Sequence, residues 1–111
     1  MSDLVTLLKV FDVDFATDDD CEIIGKLNPN HLQDVAKAVR LLLLPTFLSY
    51  QDTAQARLLS SLRSTVADPK EEFELLFNRI ELAFGEPLAD RLGFMREVLN
   101  VLESVDKERG A

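Results

Sequence analysis

Between Leu32 and Leu44, apolar residues recur at spacings of three and four until they cover the whole circumference of a helix. Leu32, Val35, Ala36, Val39, Leu42 and Leu43 make one stripe at the helical period, and Ala38, Leu41 and Leu44 fill its flanks. A helix that is apolar all round persists in water only when other elements cover it, so the segment predicts a central helix. Pro45 has no amide hydrogen and its ring crowds the preceding turn. A kink or break is expected there, with Phe47, Leu48 and Tyr50 continuing in a short second piece. The apolar run is only about half the length of a membrane span, and Arg40 and Pro45 interrupt it, so it reads as core and not as a transmembrane helix.

The same period extends in both directions. Ser2 is a good N-cap for a first helix carrying Leu4, Leu7, Leu8 and Phe11 and ending near Asp12. An acid-rich loop over 12–20 follows, then a short helical turn over 19–25 that is expected to put Ile23, Ile24 and Leu27 on the core. Asn28-Pro29 and Asp68-Pro69 each read as a cap followed by proline at the first helical position, and Glu86-Pro87 as the opening of the last helix. Asp52 is the expected cap of the fourth helix, in which Leu58, Leu59, Leu62 and Val66 share a face. In the fifth, Phe73, Leu76, Phe77, Ile80 and Phe84 form the stripe, and Gly85 is the expected residue after its end. The last helix carries two adjacent stripes: Leu88, Leu92, Met95, Leu99 and Leu102, beside Phe94, Val98, Val101 and Val105. Such a face is wider than one neighbour covers. It is either buried at the centre or shared with another molecule, and a symmetric homodimer along the first stripe is the alternative use.

No window alternates with the period of a strand. The expected architecture is therefore all-α, a compact single-domain bundle of five to six helices over residues 1–111, with the third and sixth at its centre and a frayed tail over 107–111. A composition of 47% hydrophobic and 29% charged residues suits one globular core. Cys21 is the single cysteine, so neither an intramolecular disulfide nor a cysteine-rich zinc site can form, which fits a reducing, cytoplasmic setting. The start, Met1-Ser2-Asp3-Leu4, lacks the basic region of a secretion signal, and none is expected.

The net charge of −8 is unevenly placed. Through Asp34 there are eight acids against two lysines, a net of −6, whereas from Val35 onward twelve acids and ten bases leave −2. Such a chain would be repelled by duplex phosphates and by anionic lipid, so neither direct nucleic-acid binding nor a membrane surface is expected, while a basic partner would be attracted. Arg57, Arg63, Arg79, Arg91 and Arg96 are scattered among acids and build no recognition face.

Catalytic and metal motifs fail on their spacing. Asp12-Val13-Asp14 resembles the first positions of a calcium-binding EF-hand loop, but Ala16, Thr17 and Ile23 stand where that loop needs an oxygen ligand, a glycine and a glutamate. His31 is the only histidine, so no two-histidine metal site exists, and neither it nor Cys21 lies in a nucleophile motif. The four glycines are isolated, which excludes phosphate-binding loops, and no Glu-x-x-His occurs. No cofactor is expected. The expected function is a non-enzymatic protein-binding module of inhibitor, immunity, chaperone or adaptor type, docking a protein partner for which basic character is favoured. Its contact residues are expected to be Asp12, Asp14, Asp18, Asp19, Asp20 and Glu22, a run with no base among them. The alternative is a carrier or sensor holding a small apolar ligand among Phe73, Phe77, Phe84, Phe94 and Met95.

Overall fold

The computed structural model describes residues 3–68 and 77–110, with side chains from Leu4 to Val105. Five helices are present among the described residues, with no strand, and they close around one core. Helix α1 (Asp3–Leu8) tightens into a 3-10 turn over Lys9–Phe11. Its apolar residues Leu4, Leu7, Leu8 and Phe11 are all buried, as their spacing requires. Helix α2 (Asp18–Gly25) is capped by Thr17, whose hydroxyl accepts from the Asp20 amide at 3.1 Å. It buries Ile24, while Ile23, expected in the core, points to solvent: a short helix with a single covered side has room for only one of two adjacent isoleucines.

Helix α3 is built of three stretches, α-helical over Leu32–Ala38, π-helical over Val39–Leu43 and α-helical again over Leu44–Ser49. The π turn explains why Pro45 does not break the helix. The Leu44 amide donates to the Val39 carbonyl, five residues back, and this wider turn immediately upstream makes room for a ring that would otherwise strike the preceding turn. Phe47 then reaches the core and Tyr50 ends the helix in extended backbone. Helix α4 (Asp52–Ala67) follows, with Gln51 and not Asp52 at its cap position; Leu58, Leu59 and Leu62 are buried and Val66 is half-buried. Buried Gln55 reaches back to the Tyr50 carbonyl at 2.8 Å and ties the two helices together.

Pro69, Phe73 and Leu76 of the expected fifth helix lie outside the described residues. Within them, helix ends at Asn78, and Ile80 and Phe84 enter the core from irregular backbone. The last helix, α5 (Arg91–Gly110), also begins later than Glu86-Pro87 predicts, because Asp90 is its cap: its carboxylate accepts from the Gly93 amide at 2.9 Å. At Asn28-Pro29 the expected start is displaced in the same way. The Asn28 side chain accepts from the Asn30 amide and its carbonyl accepts from the His31 amide, so the proline opens a turn and α3 waits until Leu32.

Helix α5 packs against both α3 and α4, and Phe94, Met95, Val98, Val101 and Leu102 are buried on it. Its double stripe is therefore covered by this chain's own helices. Phe94 is also the hub of an aromatic cluster, with ring centroids 6.2 Å from Phe11, 6.3 Å from Phe77 and 5.8 Å from Phe84, all edge-on. Glu103 of α5 meets Arg63 of α4 at 2.8 Å.

Candidate functional site

The acid-rich region is held by an irregular segment over 80–90, laced onto the N-terminal third by main-chain hydrogen bonds. The Val13 amide donates to the Glu81 carbonyl, the Ala83 amide to the Phe11 carbonyl and the Gly85 amide to the Leu27 carbonyl. Asn30 completes the lacing, its side chain donating to the Pro87 carbonyl and accepting from the Ala89 amide. Both ends of 13–26 are thereby fixed, and α2 lies between them at the periphery.

Asp12 belongs to this lacing and not to a contact surface. It is only 4% exposed, and its two carboxylate oxygens accept from the Asp14 amide at 2.8 Å and from the Glu81 amide at 3.2 Å. The expectation that it faces a partner is corrected: a carboxylate committed to main-chain donors inside the fold cannot also meet another molecule. Asp14, Asp18, Asp19 and Glu22 are exposed and Asp20 is half-buried. Asp18, Asp19 and Asp20 occupy the first turn of α2, where unpaired amides and the helix dipole favour negative charge. Part of the acid concentration thus has a local structural cause.

Sequence reasoning did not single out Val13 and Phe15 among these acids, and it placed Ile23 on the core. Phe15 is 62% exposed, and Val13 and Ile23 are exposed as well, so three of the six large hydrophobic side chains at the surface among the described residues fall within 13–23. The signal was present as Val13-Asp14-Phe15, two large apolar residues in a polar loop with no helical stripe to join. Lys9 places its ammonium 4.0 Å from the Phe15 ring centroid, so this base is itself engaged with the apolar part of the surface.

Other candidates form no site. Cys21 is half-buried with its thiol 3.9 Å from the Ala16 carbonyl, and His31 is exposed at the start of α3. Among the described residues, no group of three or more metal-ligating side chains converges. Of the residues proposed to enclose a ligand, Phe73 lies outside the described residues, while Phe77 and Phe84 pack on Phe94, Phe84 and Phe94 pack on Phe11, and Phe94 and Met95 are fully buried. A shallow cleft of about 220 Å³ lies elsewhere, between Thr6, Tyr50, Ala54, Arg57 and Leu58. The seam suggested for a homodimer is likewise not open. Met95, Leu99 and Leu102 are buried within the chain, and Leu88 and Leu92 are half-buried against the same core. No helix among the described residues is long and apolar enough to cross a membrane. Comparison with protein-family models, with curated proteins and with solved structures found no match.

Proposed function

We propose that the chain is a non-enzymatic protein-binding module that docks a protein partner, basic in character, through residues 13–23. The observation that carries this reading is the exposure of Phe15, with Val13 and Ile23, among Asp14, Asp18, Asp19, Asp20 and Glu22. Stable interfaces combine a desolvated apolar or aromatic centre with a charged rim, and an isolated solubilising loop needs no large apolar side chains. The acids would steer a cationic partner, and the three apolar groups would hold it. The module would be of inhibitor, immunity, chaperone or adaptor type, and the single free cysteine suits such a role in the reducing cytoplasm.

The test is affinity capture of the tagged protein at low and high salt, followed by kinetics on the partner recovered. D18N/D19N/D20N should slow association and flatten its salt dependence, whereas Phe15→Ala should chiefly speed dissociation. An unchanged circular dichroism spectrum of each variant is the control for the fold. Unchanged kinetics in both surface variants would remove residues 13–23 from the function.

A further inference from the structure

A second exposed apolar face carries the opposite charge. On α3, Leu41 and Leu48 are 48% and 42% exposed, with exposed Pro45 and half-buried Leu44 between them. Separations of three, four and seven residues put these four on one side of the helix. Lys37 and Arg40 lie on the same helix and are its exposed charged residues; neither is ion-paired to a described residue. The one acid there, Asp34, is half-buried and accepts from the Asn28 amide. In a chain of net charge −8, this is a basic, apolar strip.

The structure also holds a surface complementary to it. Residues 13–23 present Val13, Phe15 and Ile23 to match Leu41, Pro45 and Leu48, and Asp14, Asp18, Asp19 and Glu22 to match Lys37 and Arg40. Because each half is exposed, neither is covered by the other within one molecule. We propose that the α3 face docks a second copy of this chain through that copy's acidic surface, a heterologous contact in which unlike patches meet. The inference rests on the reading of residues 13–23 as a docking surface. Two copies that each carry −8 repel at long range. At physiological ionic strength, charges more than about 8 Å apart are largely screened, while contacting pairs are screened less. The association is therefore weak and best expressed near that ionic strength.

Sedimentation velocity tests it. The wild-type chain should show a weight-average mass that rises with concentration up to about 1 mM, where a high-micromolar Kd populates the complex. K37E/R40E blocks one face, and D14K/E22K blocks the other without touching the first turn of α2; each variant alone should stay monomeric with an unchanged circular dichroism spectrum. Mixed together, they should form a 1:1 complex that grows no further, since one intact face of each kind remains. Leu48→Ser repeats the block of the α3 face without altering charge. A wild-type chain that remains monomeric overturns the proposal, as does a blocked variant that still associates or a mixture that fails to pair. K37E/R40E keeps the acidic surface intact, so binding of the basic partner by this variant shows whether the earlier reading stands when self-association fails.

Discussion

Gly25 and Gly85 show how a residue's role depends on what its missing side chain would meet. Neither has positive φ, so neither is required for a left-handed turn, and Gly85, expected just after the end of the fifth helix, lies in irregular backbone well beyond Asn78, where helix ends. A Cβ at Gly85 would run into the Gly25 carbonyl, while the Gly85 amide is tied to the Leu27 carbonyl, so the two backbones are too close for a methyl group. A Cβ at Gly25 would come no nearer than 3.9 Å to the Ala83 carbonyl, an ordinary contact. Gly85→Ala should therefore destabilise the protein by about 1–3 kcal/mol, the usual cost of forcing an atom into a filled space. Gly25→Ala, at the end of α2 with helical φ and ψ available, should be neutral or stabilising by up to about 1 kcal/mol. Urea denaturation of the two variants checks both signs, and a tolerated Gly85→Ala would refute the close approach.

At the scale of elements, Pro45 gives the clearest case. A proline inside a regular helix costs about 3 kcal/mol relative to alanine. Here the π turn over Val39–Leu43 has already relieved the clash, and proline also restricts the unfolded chain. Pro45→Ala should accordingly change stability by less than about 1 kcal/mol, the range set by that unfolded-state effect. A gain of about 3 kcal/mol, the full interior penalty, would mean that the strain persists. The positions of the helices were legible from periodicity because burial enforces it: Leu7, Val35, Leu62 and Val98 all lie where their spacing puts them. Helix starts were less legible. Asn28-Pro29 and Glu86-Pro87 carry the same local signal as a helix start, but side-chain bonds from Asn28 and Asp90 move the first turn downstream. Such bonds depend on which donor lies nearest in space, which periodicity does not encode.

Across the whole molecule, the candidate surface was legible in its charge and not in its anatomy. The run of acids marked residues 12–22, yet the division between buried Asp12 and the exposed acids depends on the Glu81 amide, which is distant in sequence. The same lacing predicts how stability is distributed. Helix α5 is wrapped by α3 and α4, whereas α2 contributes only Ile24 to the fully buried core and, among the described residues, packs extensively against no other helix. Local opening costs least where few apolar contacts are lost, so the amides of α2 should exchange with solvent through a local opening, well before those of α3 and α5, which should require global unfolding. The lacing bonds at Val13, Ala83 and Gly85 join segments distant in sequence, and their amides should exchange at a common, intermediate rate. Hydrogen exchange followed by mass spectrometry on the free protein measures this order. A docked partner should then raise protection across 13–25 and leave α5 unchanged, because only an element that opens locally has protection to gain from being covered. Protection gained in α5 instead would place the contact on the core bundle and away from the acidic surface.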